Sequence, residues 1–176
     1  MKLGKLIWVI ERKILRFVSL LDGNLYKRIY PQYLKRIGIN IPNDYYEGGV
    51  GFIDPTAHFD GSDYSLISIG KNTTISFEVF FLTHDYSIAK GFKAIGIEKS
   101  VKILKSVTVG ANCFIGARSF LLPGTEIGDN VIVGAGSVVR GKIQSNVVVS
   151  GNPAKVVCSI EEWVRKHEER QDYIDG

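Results

Sequence analysis

The sequence predicts an all-β-dominated fold: a coil of short strands joined by tight corners, with helices before and after it. The first observation is a period of six residues that runs from Val109 to Ser150. An aliphatic residue opens six successive blocks, at Val109, Ile115, Leu121, Ile127, Val133 and Val139. A helix repeats near 3.6 residues and a strand near 2, so a strict six indicates flat strands with corners and one inward side chain per side. The other two observations are a helical spacing of apolar residues near the N-terminus and a helix-capping pattern near the C-terminus.

The N-terminal segment, residues 1–40, is predicted to be helical. Apolar residues from Leu3 to Leu21 follow helical spacing, and Lys and Arg occupy other positions on the wheel. Asp22-Gly23-Asn24 is expected to end this helix. A second helix is expected from Leu25 to Ile37, interrupted near Pro31 because proline removes a helical hydrogen bond.

Positive charge is concentrated in this same segment. Residues 1–40 contain nine Lys or Arg and two acidic residues, a net charge of +7, whereas the rest of the chain has thirteen basic against sixteen acidic residues, a net of −3. No aromatic-basic motif or finger spacing accompanies the charge, which argues against nucleic acid as a partner. Two interpretations stay open: the helices pack on the repeat domain or another subunit, or residues 1–22 lie on an anionic membrane surface with Trp8 at the interface.

The repeat domain is predicted to span residues 41–158. After a turn-rich segment from Gly38 to Gly51 that contains Gly48-Gly49, the repeat begins in weaker form. Its early positions are Ile53, Phe59, Ile69, Ile75 and Phe81. Residues 87–102 break the period, because Ile69 and Val109 are 40 positions apart and 40 is not a multiple of six. We therefore expect a loop that leaves the coil at 87–102 and carries function, with the period returning at Ile103.

The C-terminal segment, residues 159–176, is predicted to form a short helix. Gly151-Asn152-Pro153 is expected to stop the coil. Ser159 followed by Glu162 is a capping box, so the helix is expected from Ile160 to Tyr173, with Trp163 as its anchor.

Length and composition favour one globular domain and exclude several classes of protein. The 176 residues are enough for a single sizeable core. The two cysteines, Cys113 and Cys158, form no metal or redox spacing, and Cys113 is expected to be a small core residue. The lack of a disulfide pattern and of a secretory signal favours the cytoplasm. The apolar run from Leu6 to Ile10 is too short for a membrane span.

Three motifs make a family resemblance specific. They are Thr83-His84-Asp85, the VGAGSVV at 133–139 and the GNPAKVV at 151–157. With the repeats, residues 50–158 resemble the hexapeptide-repeat acyltransferases, which include galactoside, maltose, serine and xenobiotic O-acetyltransferases. The resemblance implies a left-handed parallel β-helix, a homotrimer, and acetyl-CoA bound in the cleft between neighbouring coils.

The resemblance also implies that His84 is the catalytic residue. An imidazole, with a reference pKa of about 6.5, can take the proton of a hydroxyl as the oxygen attacks a thioester. Asp63, Glu78 or a backbone carbonyl could orient the ring. Asp85 and Asp63 are the candidate substrate-binding residues, although Asp85 could instead serve the corner turn. His58 and His167 are expected to be surface or packing residues.

For the acetyl donor, the resemblance implies contacts from small corner residues and from cations. The matching small residues are Ala111 and Ala135, and the matching cations are Arg140, Lys142 and Lys155. Arg140 and Gly141 stand where the family often has Thr-Lys, and Lys142 comes next, so phosphate recognition by Arg140 and Lys142 would rest on different geometry.

The function implied is an acetyl-CoA-dependent O-acetyltransferase that acts on a sugar or glycan-precursor hydroxyl. An N-acetyltransferase on an amino sugar and a non-catalytic β-helix scaffold are the alternatives, and the acceptor and acyl chain length stay open. A zinc-dependent hydratase on the same fold needs three imidazoles with close spacing, which His58, His84 and His167 do not have, so no metal is expected.

Overall fold

The computed structural model describes residues 3–47, 51–61 and 63–174, with the side chains of residues 3–7 and 9 excepted. The predicted Gly48-Gly49 turn and the apolar side chains predicted from Leu3 to Ile7 lie outside the described residues. Four α-helices are present in the described ranges: α1 (Leu3–Leu21), α2 (Gly23–Ile37), α3 (Ser87–Ala94) and α4 (Ile160–Arg170). A 3₁₀ helix spans Tyr64–Leu66.

The strands are short and belong to three long sheets and one small one. Sheet A contains β3 (Ile67–Ile69), β8 (Val107–Val109), β11 (Glu126–Ile127) and β14 (Lys142–Ile143). Sheet B contains β1 (Phe52–Ile53), β4 (Thr74–Ile75), β9 (Phe114–Ile115), β12 (Ile132–Val133), β15 (Val147–Gly151) and β16 (Ala154–Ser159). Sheet C contains β2 (His58–Phe59), β5 (Phe80–Phe81), β10 (Phe120–Leu121) and β13 (Val138–Val139). A separate antiparallel pair joins β6 (His84–Asp85) to β7 (Ile103–Leu104).

The chain visits sheets B, C and A in rotation, so it winds as a three-sided coil. Within sheets A, B and C, neighbouring strands run parallel, except for the antiparallel pair β15–β16. We name the three corners the A–B edge (residues 70–73, 110–113, 128–131 and 144–146), the B–C edge (54–57, 76–79, 116–119 and 134–137) and the C–A edge (60–66 apart from 62, 82–106, 122–125 and 140–141). The predicted coil of short strands is confirmed.

The side chains that point into the coil are those that the six-residue period predicts. The residues that open the six blocks are all buried, from Val109 to Val139. The fifth residue of each of the first five six-residue blocks is buried as well: Cys113, Ser119, Thr125, Val131 and Ser137. Their hydroxyls bond to corner carbonyls, for example Thr125 Oγ1 to Leu122 O at 2.7 Å, which satisfies the polar groups inside. A Cβ at Gly116 would come within 2.5 Å of Ala135 N, so successive coils stack closely there.

The period breaks in two places that differ from the prediction. The coil proper resumes at Val107, because Ile103 belongs to β7, which pairs with β6 outside the three sheets. The predicted loop at 87–102 contains the helix α3, which buries none of its residues. At the other end, Ile143 follows Val139 by four residues instead of six and pairs with Ile127, so the strict six ends at Val139.

The N-terminal helices pack on the coil. Asp22 does not simply end α1, because its Oδ1 caps α2 by accepting from the backbone N–H groups of Asn24 and Leu25, each at 2.9 Å. The helix α2 is continuous through Pro31, so the predicted interruption is wrong. The tyrosines and Leu34 on the same face are buried against the coil, and this packing offsets the hydrogen bond that proline lacks.

One face of α1 is held by α2 and the coil. Leu15 is buried, and Tyr33 Oη donates to the Trp8 carbonyl at 3.1 Å. The Trp8 ring lies edge-on to Tyr64 with centroids 6.2 Å apart, so Trp8 is a packing residue and its predicted place at a membrane interface is wrong. The packing interpretation therefore holds for this face.

The C-terminal segment ends the coil by reversing direction. The turn at Gly151-Asn152-Pro153 joins β15 to the antiparallel β16, so the predicted stop is confirmed. Ser159 Oγ accepts from Glu162 N at 3.0 Å, as the capping box predicts. The helix α4 ends at Arg170, three residues before the predicted Tyr173, because Gln171 adopts a left-handed conformation with φ of 49°. Trp163 is 36% exposed and contacts His167 on its own helix, and its role as the anchor of α4 stays a prediction. Within the described residues, no helix is both long and apolar enough to cross a bilayer.

Candidate functional site

His84 lies on the C–A edge, in the strand that leaves the coil after β5. Phe81 at the end of β5 is fully buried, whereas the His84 side chain is 31% exposed. His84 pairs with Leu104 on β7, so the excursion returns beside the histidine. The Tyr86 ring stands edge-on to the imidazole, with centroids 5.2 Å apart. The imidazole is therefore held between the coil and the excursion and is partly open to solvent.

Asp60 fixes the imidazole. Its Oδ2 contacts Nδ1 of His84 and also accepts from the backbone N–H of His84 at 3.1 Å. Thr83 adds two further hydrogen bonds to the same oxygen, from N at 3.0 Å and from Oγ1 at 2.9 Å. The Asp60 side chain is only 6% exposed. A carboxylate held this firmly at Nδ1 sets the tautomer of the ring, with the proton on Nδ1 and Nε2 as the basic nitrogen.

The two carboxylates predicted to orient His84, Asp63 and Glu78, make other contacts. Asp63 caps the 3₁₀ helix, accepting from Ser65 Oγ at 2.6 Å and Ser65 N at 3.0 Å, and these hydrogen bonds lower the pKa of its carboxyl. Glu78 pairs with Arg118 at 2.7 Å on the B–C edge. The prediction of Asp63 or Glu78 as the orienting group is wrong, since Asp60 occupies that place.

The pairing of β2 with β5 explains why Asp60 is the partner. Phe59 lies beside Phe81 in parallel register, so Asp60 lies beside the residue that follows Phe81, two positions before His84. From there its carboxylate reaches the backbone N–H groups of Thr83 and His84. The two phenylalanines are 22 residues apart, whereas a complete coil such as Ile115 to Val133 takes 18. The sequence shows that this coil is longer by four residues, but not which corner contains them. The register that brings Asp60 to His84 could therefore not be predicted.

Asp85 faces an open cleft on the C–A edge. The cleft has a volume of about 280 Å³ and is lined by Asp85, Ile103, Lys105, Leu122, Pro123, Gly124, Arg140 and Gly141. Asp85 Oδ1 accepts from Ser87 N at 2.7 Å, which supports the corner-turn alternative. That hydrogen bond lowers the pKa of the Asp85 carboxyl, and the nearby Arg140 lowers it further. The cleft thus carries two cations, Lys105 and Arg140, against one carboxylate.

The residues predicted to hold the acetyl donor are spread over different sides of one chain. Ala111 lies on the A–B edge, where its N–H donates to Asp129 Oδ1 at 2.7 Å. Ala135 is exposed on the B–C edge, and Arg140 on the C–A edge. Lys142 points outward from sheet A beside Glu126, and Lys155 is exposed on β16.

The repeat itself explains the separation of the two alanines. Ala111 and Ala135 are 24 residues apart, one coil of 18 plus one further side, so they lie on different edges. Ala117 is 18 residues before Ala135 and lies next to it on the B–C edge, where Gly136 N donates to Ala117 O at 2.8 Å. Counting in steps of 18 would have paired Ala117 with Ala135 from the sequence.

The two other histidines lie away from this site. His58 is exposed on sheet C and stacks on Phe80 with centroids 4.4 Å apart, and partial burial lowers the pKa of its imidazole. His167 contacts Asp172 at 2.5 Å near the end of α4. In the part of the chain that the structure describes, no group of three His, Cys, Asp or Glu side chains is placed to hold a metal ion.

The outward faces of the three sheets differ in polarity. Sheet C presents a ladder of rings, His58, Phe80 and Phe120, stacked at 4.4 and 4.7 Å. On sheet B, Phe114 is 45% exposed between Thr74 and Ile132. The corresponding positions on sheet A are polar: Ser68, Thr108, Glu126 and Lys142.

Comparison with known proteins identifies the family. A family model described as a hexapeptide repeat of succinyl-transferase matches residues 106–140. Protein CapG of Staphylococcus aureus is 36% identical over 157 residues, which cover 89% of this chain and 84% of CapG. The chain belongs to the hexapeptide-repeat acyltransferase family. The family predicted from the sequence motifs is therefore confirmed.

Other members of the hexapeptide-repeat family match over shorter stretches. A putative lipopolysaccharide biosynthesis O-acetyl transferase, WbbJ of Escherichia coli K12, is 38% identical over 96 residues, covering 52% of this chain and 49% of WbbJ. The galactoside O-acetyltransferase of the same organism is 34% identical over 111 residues, covering 63% of this chain and 52% of that protein. Apart from CapG, the match thus spans about half the length of these curated relatives.

Solved structures of the hexapeptide-repeat family share the fold. A galactoside acetyltransferase in complex with coenzyme A superposes with a TM-score of 0.57 at 23% identity, covering 94% of this chain and 86% of that one. A hexapeptide-repeat acetyltransferase from Vibrio cholerae O1 biovar eltor, complexed with acetyl coenzyme A, gives 0.56 at 17% identity, covering 90% of each chain. The predicted β-helical architecture is confirmed at this level.

Proposed function

We propose that the chain is an acetyl-CoA-dependent O-acetyltransferase in which His84 is the general base and the acceptor is a hydroxyl of a sugar or glycan precursor. The observation that carries the proposal is the pair of Asp60 and His84, a buried carboxylate holding a partly exposed imidazole, next in the chain to Asp85, which lines an open cleft. A histidine held in one tautomer by a carboxylate is suited to proton transfer near neutral pH.

The chemistry follows from that geometry. With the Nδ1 proton directed at Asp60, Nε2 takes the proton of the acceptor hydroxyl as its oxygen bonds to the carbonyl carbon of the thioester. The carbon–sulfur bond then breaks, and the imidazolium returns the proton to the departing thiolate. Asp60 stabilises the transient positive charge on the ring. No covalent enzyme intermediate is required when both substrates are held together, since proximity alone supplies much of the rate.

The donor is proposed to lie along the B–C edge of one copy, facing His84 of the next. Relatives of the same fold were solved with coenzyme A and with acetyl coenzyme A, which favours this donor. The small corner residues Ala117 and Ala135 leave the backbone accessible for a pantetheine arm, and Lys155 and Arg140 are exposed cations for phosphates. Ala111 and Lys142 stay predicted contacts, although they lie on other sides of the chain.

The homotrimer is part of this proposal. Two of the three outward sheet faces, B and C, carry exposed phenylalanines, whereas sheet A is polar. Aromatic residues are enriched where subunits meet, so faces B and C are suited to pack against neighbouring copies while face A stays in water. A groove between copies would bring His84 opposite the Ala117 and Ala135 edge. The left-handed winding of the coil belongs to the same proposal.

The acceptor class is inferred from the cleft and from the names of the relatives. Those names refer to lipopolysaccharide biosynthesis, galactoside and colanic acid biosynthesis. We propose that Asp85, whose carboxyl pKa is lowered, accepts hydrogen bonds from sugar hydroxyls, and that Lys105 and Arg140 bind an acidic substituent. Asp63 is exposed on the same edge and stays a candidate for the acceptor. We place the enzyme in the cytoplasm, in keeping with its two unpaired cysteines, Cys113 and Cys158.

The test is transfer measured by release of free thiol from acetyl-CoA with a panel of sugars and amino sugars. His84→Ala should lower the turnover number by about 100-fold or more. His167→Ala is the matched control, because His167 also contacts a carboxylate but lies on α4, and it should keep wild-type turnover. Light scattering should give three copies for both variants. A His84→Ala enzyme that keeps more than about a tenth of its turnover contradicts the base assignment.

A further inference from the structure

The helix α1 presents an apolar surface that nothing in the described chain covers. We name the strip by its residues: Ile10, Ile14, Phe17, Leu20 and Leu21. The three at its C-terminal end are the most exposed, Phe17 at 61%, Leu20 at 79% and Leu21 at 72%. Single exposed apolar residues are normal on a protein surface, but a contiguous row on one helix marks a contact surface.

The strip cannot turn inward, because the opposite face of α1 is fixed. Leu15 is buried against α2, and Arg12 donates from its guanidinium to the Ala57 carbonyl on the coil. Glu11 pairs with Arg36 of α2 at 2.7 Å. These contacts hold α1 in one rotational setting, with the strip directed away from the domain.

Charge along the strip identifies the kind of partner. Lys13 and Arg16 are exposed and lie along one side of the strip, three residues after Ile10 and one residue before Phe17. From Trp8 to Leu21 the one acidic residue is Glu11, which is engaged with Arg36 on the other side of the helix. The strip therefore combines apolar side chains with positive charge along one side. The two carboxylates nearest to it in the chain are both engaged, Glu11 with Arg36 and Asp22 with the backbone N–H groups of Asn24 and Leu25.

We infer that the strip docks the protein on an anionic phospholipid bilayer, with α1 lying parallel to the surface. Apolar side chains of such a helix enter the boundary between headgroups and acyl chains, while Lys and Arg at its edge meet the anionic headgroups. A paired contact between two copies of the strip would gather Lys13 and Arg16 of both copies around one apolar seam, which disfavours that occupant.

The docking helix is attached to the coil that carries Asp60. Arg12 reaches Ala57 and Trp8 packs on Tyr64, on either side of Asp60 in the chain. Docking would hold that coil next to the membrane, so an acceptor carried on a lipid would be presented near His84. This last step rests on the proposed function, whereas the docking itself does not.

The test is sedimentation of the full chain with vesicles of phosphatidylcholine alone and of phosphatidylcholine with phosphatidylglycerol. We expect binding to the anionic vesicles that weakens as salt is raised. The double variant Phe17→Glu, Leu21→Glu should bind at least about tenfold more weakly. Lys13→Gln and Arg16→Gln should each weaken binding by about fivefold. Val164→Glu and Arg165→Gln, at exposed positions of α4, are the matched controls and should bind as the wild type does.

Three results overturn the inference. They are no binding to anionic vesicles, equal binding to neutral and anionic vesicles, and strip variants that bind like the wild type. A change in the number of copies of Phe17→Glu, measured by light scattering, would assign the strip to a contact between copies and overturn it too. Thiol release with a soluble acceptor should be unchanged in the strip variants, so failure of docking and failure of the proposed activity give different results.

Discussion

The A–B edge and the C–A edge are corners of one coil, but they are built in different ways. On the A–B edge, Asn112, Asn130 and Asn146 occupy the same corner position in successive coils, with left-handed φ values of 53°, 55° and 64°. Each side-chain amide donates to the next one at 2.8 Å, so the edge is a continuous ladder. Asparagine tolerates the left-handed conformation that a tight corner needs, and its side chain adds the stacking.

The C–A edge has no such regularity. Its corners have different lengths, from two residues at 140–141 to the long excursion at 82–106. The irregular corners bring together groups that are far apart in the chain, namely Asp60 with His84, and Asp85 with Arg140. The repeat therefore supplies a rigid frame, and the groups proposed for catalysis lie on the edge that departs from the repeat.

The sharpest test of this difference removes one carboxylate from each edge. Asp60→Asn should lower the turnover number by about 100-fold, because the ring loses the charge that stabilises the imidazolium and fixes its tautomer. The Michaelis constant for acetyl-CoA should stay within about twofold, since Asp60 is buried behind the imidazole. Steady-state thiol release measures both quantities.

Asp129→Asn is the matched change on the A–B edge. Asp129 also accepts a backbone N–H, that of Ala111, but it lies away from His84. Its loss should reduce stability and leave the turnover number unchanged. Equal losses of turnover in the two variants, or a loss at Asp60 that appears in the Michaelis constant alone, would contradict the role given to Asp60.

The regular part of the molecule is the part that could be predicted from sequence. The inward positions from Val109 to Val139 follow from the period, because each side of the coil repeats the same contact. His84 was predicted from a motif, not from the period. Asp60 was missed because its register depends on four extra residues in one corner, and a period analysis does not say which corner receives them.

The remaining errors have physical causes of the same kind. The helix α3 has eight residues with Gly91 in its middle, too short to give a clear helical period. The amphipathic pattern of α1 correctly predicted a helix, but a pattern does not say which apolar face is covered. Packing and membrane contact therefore both stayed open for Trp8, which is found against Tyr64. Pro31 was expected to break α2, and tertiary packing overrides that preference.

A smaller effect is expected from the asparagine ladder. Asn130→Ala should lower the free energy of unfolding by about 2 kcal/mol, of which about 1 kcal/mol comes from placing alanine at a left-handed φ and the rest from the two lost hydrogen bonds. The turnover number should not change. Urea unfolding at a fixed protein concentration is the measurement, because dissociation of copies contributes to the apparent stability.

Asn130→Gly separates the two contributions. Glycine adopts a φ of 55° without steric cost but makes no side-chain hydrogen bond, so its loss should be about 1 kcal/mol. Equal losses for Ala and Gly would show that the left-handed conformation carries no strain. A fall in turnover for either variant would mean that the regular edge also contributes to the chemistry.

The smallest expected effect concerns the thiol inside the A–B edge. Cys113 is buried at a corner of the coil, and burial raises the pKa of its thiol from 9.0 to about 11. The folded chain therefore keeps this proton at a pH where the unfolded chain has lost it. The stabilisation is complete below pH 9 and is lost as the pH rises from about 9 through about 11, and at pH 10 the loss is about 1 kcal/mol.

Cys113→Ala should remove the loss of stability at alkaline pH that comes from this thiol. The variant is expected to be less stable than the wild type at pH 7 because of the small cavity. This gap in the free energy of unfolding should narrow by about 1 kcal/mol at pH 10. Val131→Ala, at the equivalent buried position one coil further along, makes a cavity without removing a thiol, so its gap should stay constant with pH. The buried tyrosines titrate in all three chains and cancel in the differences. A Cys113→Ala gap that does not change between pH 7 and pH 10 would mean that the thiol meets water inside the edge, and the closed interior attributed to the regular side of the coil would then be wrong.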